Sequence, residues 1–223
     1  MQNVFTSILV LMFLAGCGAK RADSADGSGN YADSSAMVAE APDAVAFDAD
    51  SAYAYLRRQV EFGPRVPNTE AHAKAGDWMA AELRRHGAEV IEQKMDLEAF
   101  DGTILHARNI FGQYNPGEED RTLLLAHYDC RPWADEDPDP DKRKQPVDGA
   151  NDGASGVAVL LEIARQISAA NPKKGIDILF VDAEDWGTEG DDDSWAMGTR
   201  YFVHNPVKPG YQPARVIVAD MVG

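Results

Sequence analysis

The chain has 223 residues, 44% of them hydrophobic, which is enough for one α/β domain with a real core. Its 37 acidic residues against 21 basic ones leave a net charge of -16 at pH 7, which argues against nucleic acid as a partner, because phosphate binding needs a basic face. The acids cluster at 23–50, 118–120, 135–141 and 182–193, and most such runs belong to solvated loops.

The first element is a targeting segment. "VFTSILVLMFLAGC" is apolar but shorter than the roughly 20 residues that span a bilayer, and it suits the core of a secretory signal. It ends in Leu14-Ala15-Gly16-Cys17, which resembles the lipobox of bacterial lipoproteins. Residues 1–17 are therefore expected to be a signal peptide and Cys17 the lipidated residue of an exported protein. That protein would be anchored to a membrane and face the periplasm or exterior. "MQN" departs from the pattern by carrying no Lys or Arg, which leaves a plain secretory signal or a short buried segment as alternatives. Residues 18–46, rich in Ala, Asp, Ser and Gly, cannot bury enough surface to offset their ordering entropy and read as a tether. With Cys17 assigned to lipid, Cys130 has no partner, so the domain at 47–223 must stand without an intrachain disulfide.

Within that domain, "FDADSAYAYLRRQVEFG" predicts a helix, with polar capping residues, Tyr53, Leu56 and Val60 at helical spacing, and Gly63 as its stop. "TEAHAKAGDWMAAELRRHG" predicts a second, with Trp78, Met79 and Leu83 on one stripe. Strand-like segments follow in "AEVIEQKMDL", "TILHARNIFGQY" and "RTLLLAHYD", with a turn at Asn115-Pro116-Gly117. "GASGVAVLLEIARQISA" is the clearest helix, and "GIDILFVDAED" a buried strand by its continuous apolar run. "WAMGTRYFVHN" predicts a short helix and "ARVIVADMVG" a last strand. This alternation predicts an α/β fold with a central mixed, mostly parallel twisted sheet and helices on both faces.

Three of these strands end in ionisable groups: His127 and Asp129, then Glu184 and Asp185, then Asp220. Asp152 lies just before the strongest helix. In an open α/β sheet, ligands bind beyond the carboxyl ends of the strands. Acids at that density neutralise or repel one another unless a cation holds them, and zinc takes both carboxylate and imidazole ligands. Taken singly, His127 reads as a core histidine, Asp152 as a helix N-cap and Asp220 as a strand-end acid meeting a backbone amide.

"HYD", "GANDGASGVAVLLEIAR", "ILFVDAEDWG" and "VADMVG" resemble, in order, the motif series of the zinc aminopeptidase and glutaminyl cyclase superfamily. "EFGPRVPN", "HYDCRPWADEDPDP" and "AEDW" are most similar to the bacterial glutaminyl-peptide cyclotransferase branch, and the likeness runs from Phe47 to the last residue. The resemblance implies one zinc ion with Asp152 and Asp185 as ligands, Glu184 as general base and acid, and Asp220 as a proton-relay acid. It makes Trp186 part of the apolar pocket wall, with core packing as the alternative. Asp182, one position out of phase with Asp185 along the strand, reads as structural. The implied substrates are peptides or proteins with N-terminal Gln. In the aminopeptidase alternative two zinc ions are bound, with His127 and Asp220 holding the second and Asp152 bridging.

One feature departs from the pattern. The family's third zinc ligand is a His beyond the Asp220 motif, and none of His72, His86, His106, His127 or His204 stands there. The expectation is a fold incomplete at the C-terminus, in a piece of a longer reading frame. A further alternative is an inactive truncated surface lipoprotein, or one that binds calcium through "DEDPDPDK", although that loop lacks the Gly and terminal Glu of an EF-hand.

Overall fold

The computed structural model describes residues 46–223. The expected signal peptide, Cys17 and the tether up to residue 45 lie outside the described residues. Helices α1 (Ala49–Glu61) and α2 (Glu70–Arg85) come first, then strands β1 (Glu89–Glu98), β2 (Ile104–Tyr114) and β3 (Arg121–His127). Helix α3 (Ala154–Ala170), strand β4 (Gly175–Val181), helix α4 (Met197–His204) and strand β5 (Arg215–Val218) complete the order. Each expected element forms within a few residues of its expected place.

The five strands lie in the order β1-β2-β4-β3-β5. The sheet is mixed in two halves. β1 and β2 pair antiparallel, because the loop between them is too short for anything but a hairpin, and β2 pairs antiparallel with β4. β3 pairs parallel with both β4 and β5, its chain returning to β4 through α3. The parallel share is therefore two ladders of four rather than most of the sheet.

Helices cover both faces. On one, Met79 and Leu83 of α2 and Val157, Leu160 and Leu161 of α3 pack on Ile110, Ala126, Ile178 and Phe180. On the other, Phe202 of α4 meets Phe111, Leu125, Leu179 and Val181. Fully burying each such side chain contributes about 1.5–3 kcal/mol. The buried positions of α1 are Ala52 and Gln59, one step out of phase with Tyr53, which is 62% exposed. The phase shifts because Gln59 turns inward to donate to the Ala154 carbonyl at the start of α3 (3.0 Å). The edge strand β5 exposes Val216, Ile217 and Val218 by more than half.

Candidate metal centre

The parallel strands bring their carboxyl ends to one rim. β3 delivers His127, Tyr128 and Asp129, β4 runs into the 182–185 turn, and Asp220 follows β5. The loop ahead of α3 supplies Asp152. Gly153, rather than Asp152, occupies the N-cap, with φ +80° and no side-chain cap bond, so the N-cap alternative for Asp152 does not hold. A Cβ at Gly153 would stand 3.0 Å from both the Asp129 carbonyl and the His127 ring, so this position needs glycine for room as well as for conformation.

His127 is the hub. Its Nε2 stands 2.9 Å from Asp152 Oδ1 and 3.5 Å from Asp220 Oδ1, and its Nδ1 stands 3.5 Å from Asp129 Oδ1. Candidate ligand atoms gather into two groups within 4.8 Å, His127 with Asp152 and Asp185, and His127 with Glu184 and Asp220. The ring is buried, whereas the Asp152 and Asp220 side chains are 45% and 43% exposed, so the cluster opens to solvent on their side.

The crowding is visible in the protonation equilibria. Burial, and then the Asp129 charge, push Asp185 up to about 7. Burial also raises Glu184 above the usual carboxylate range. Burial alone would lower His127, but Asp129 and Asp152 outweigh it and raise it to about 12. Asp129 itself, buried but facing His127 and two backbone amides, is held below its ordinary value.

The turn that carries Glu184 and Asp185 is tightly held. Ala183 is in the left-handed region at φ +53°, a conformation that costs an L-residue about 1–2 kcal/mol. Asn109 Oδ1 accepts from the Asp182 N–H (3.0 Å), and Asp129 accepts from both the Glu184 and Asp185 N–H groups (3.1 Å each). From α4 and the residue ahead of it, Gly198, Met197 and Ala196 donate to the carbonyls of Asp182, Ala183 and Glu184. Arg131 donates to that of Asp185 (3.0 Å).

Residues behind the cluster, among them Arg65, to which the sequence reading gave no role, hold the rim in place. Arg65 is fully buried and donates to the carbonyls of Tyr128, Asp148 and Gly149, tying the end of β3 to the loop that bears Asp152. Asp182 is fully buried and turned toward His72 rather than the cluster. Trp186 is half-buried, packs edge-on against Trp133 at 5.5 Å and donates to Asp101 (3.3 Å). Trp133 and Trp195 line a cavity of about 590 Å³ that includes Asp152. In the acidic loop 135–141, Asp137 and Asp139 accept backbone amides of their own loop.

The pattern that defines peptidase family M28 matches residues 109–223, the segment that carries every one of these rim acids. The chain belongs to this family. Among solved M28-like structures, a Zn-dependent exopeptidase from Parabacteroides distasonis is 54% identical, with TM-score 0.79 over 81% of this chain and 63% of that one. A Bacteroides thetaiotaomicron glutaminyl cyclase bound to N-acetylhistamine is 49% identical, with TM-score 0.79 over 81% of this chain and 64% of that one. A probable zinc metalloprotease of the fungus Pyrenophora tritici-repentis is 28% identical over 159 residues, 64% of this chain and 32% of its own length. The chain thus spans less than two thirds of these structures and about a third of the fungal relative.

The residues fit zinc on their own chemistry. An imidazole and two carboxylates converge in the His127–Asp152–Asp185 group, His127 Nε2 faces Asp152 at 2.9 Å, and Asp185 retains its proton well above the ordinary range. A divalent cation relieves that repulsion.

Proposed function

We propose that the protein is a glutaminyl-peptide cyclotransferase, which closes the N-terminal Gln of a peptide into pyroglutamate and releases ammonia. Asp152 and Asp185, with His127 in the same group, are the residues that would hold the zinc, which when bound supplies positive charge to polarise the γ-carbonyl. The α-amine attacks the side-chain amide carbon, the new C–N bond forms, and the bond to the amide nitrogen breaks. Glu184 takes one proton from the attacking amine and returns it to the departing nitrogen, which leaves as ammonia. Asp220 hydrogen-bonds the leaving nitrogen or relays that proton. The nucleophile is already tethered to its target, so most of the protein's contribution is orientation.

The observation that carries this reading is Glu184. It is raised by burial and grouped with Asp220 and His127, apart from the Asp152–Asp185 pair. On this reading Asp152 and Asp185 serve the metal, and Glu184 and Asp220 serve proton transfer. Ammonia release from a Gln-initiated dipeptide tests it, and release of free amino acid without ammonia would count against it.

A second reading has support from the same arrangement. Within the His127–Glu184–Asp220 group, His127 and Asp220 would hold a second ion, which suits a two-zinc aminopeptidase in which Glu184 activates water for hydrolysis of the N-terminal peptide bond. One zinc per chain favours the cyclase and two the peptidase. Export and a lipid anchor at Cys17 belong to the same proposal, which would present the site to extracytoplasmic peptides.

A further inference from the structure

The most heavily bonded carboxylate of the described rim is not in the metal cluster. Asp182, fully buried, accepts from His72 Nε2 (2.8 and 2.9 Å), Tyr128 Oη (2.8 Å) and the backbone N–H groups of Arg108 (2.7 Å) and Ala183 (2.8 Å). Desolvating a carboxylate costs several kcal/mol, and donors on both oxygens offset that cost. An acid bonded this fully has no capacity left for a metal, and it stands directly before the strained Ala183.

His72 comes from α2, a separate element, and it is 4% exposed. Besides bonding Asp182, its ring stacks on Tyr128, with centroids 5.1 Å apart and planes 10° from parallel. Tyr128 lies between His127 and Asp129. One imidazole therefore touches both arms of the centre, the end of β3 and the turn after β4. Met79 and Leu83 anchor the same helix in the core, so the imidazole is presented from a rigid support.

We propose that His72 is a positioning residue, which through Asp182 and Tyr128 fixes the left-handed Ala183 turn and so aims Glu184 and Asp185. The inference rests on the roles given to those two acids above, and it adds a residue that touches neither substrate nor metal. Because Asp182 accepts only, His72 donates from Nε2. A side chain of similar reach that keeps one N–H donor should therefore substitute for it.

The test uses His72→Leu and His72→Gln in the whole chain. Each is measured for thermal unfolding, zinc affinity by chelator competition, and amide exchange at Ala183, Glu184 and Asp185. His72→Leu is expected to weaken zinc binding by about 10–100-fold. It should also speed exchange in the turn by roughly tenfold, the size of one lost buried hydrogen bond. His72→Gln should recover most of both. A folded His72→Leu with unchanged zinc affinity and unchanged turn exchange overturns the proposal, as does a His72→Gln variant no better than His72→Leu. Should His72→Leu not fold, Tyr128→Phe decides, since removing a donor from the same carboxylate must speed exchange in the turn, and unchanged exchange overturns the idea. If the unsubstituted chain binds no zinc, the metal reading fails, while the exchange measurements still decide the positioning role.

Discussion

Asp129, at the end of β3, grips Asp185 by its main chain: Oδ2 accepts the Asp185 N–H at 3.1 Å, while Oδ1 takes the Glu184 N–H at the same distance. One buried carboxylate therefore sets the spacing of the two acids that face the site. Asp129→Asn replaces one acceptor with an amide that points a donor at a backbone donor. It should cost about 1–3 kcal/mol of stability and lower zinc affinity about 10–100-fold. Denaturant unfolding and chelator competition on the same preparation check both, and a neutral result in both would remove Asp129 from this role.

The pH dependence follows from the raised acids. Asp185 moves from an ordinary 3.8 to about 7, so between those values the unfolded chain has lost its proton while the folded chain keeps it. Stability that is complete below the ordinary value is therefore lost as pH rises toward about 7. Glu184 acts with the same sign, whereas Asp129, held below its ordinary value, has its window on the acid side. In metal-free protein, Asp185→Asn should flatten the fall in melting temperature between about pH 5 and 7. Zinc should reverse the trend, because binding it displaces that proton and tightens with rising pH. Melting curves with and without chelator at several pH values measure both effects.

Glu184→Gln keeps the shape of the side chain and removes its proton chemistry. Turnover should fall by about 10²–10⁴-fold, with zinc content and melting temperature close to the unsubstituted protein. Equal loss of zinc would instead make Glu184 a ligand in the His127–Glu184–Asp220 group.

Much of the fold was readable because period and punctuation agreed. α3 carries its apolar residues at helical spacing between Gly153 and Asn171, and β4 is an unbroken apolar run. The acids at the rim could be placed because each follows a strand or precedes a helix. What local pattern could not give was the support behind them. His72 lies on the buried stripe of α2 with Gly76, Met79 and Leu83, and a histidine in that phase was the available signal. Its partner Asp182 is 110 positions away, a pairing that only the tertiary fold decides. Arg65 offered less still, since all of its described partners are backbone carbonyls. α1 went out of phase for the same kind of reason, a buried Gln59 bonded to a distant carbonyl.

The start of α4 gives a last test, of close approach rather than charge. The Gly198 N–H donates to the Asp182 carbonyl at 3.1 Å, and a Cβ on Gly198 would run into that same backbone oxygen and into the Asn109 amide. Neither neighbour is a flexible side-chain tip, since Asn109 itself donates to Gln93 and to the Gly198 carbonyl. Gly198→Ala must therefore push α4 away from the turn. Overpacking of this kind costs about 1–3 kcal/mol, and here the turn that loses its bonds from α4 carries Glu184 and Asp185. The expected outcome is a lower melting temperature together with weaker zinc binding. The same substitution at exposed Gly190, where a Cβ meets nothing but where φ is +81°, should lower stability through backbone strain and leave zinc affinity unchanged. Equal zinc loss in both variants would mean that the centre follows global stability and not the approach of α4 to the turn.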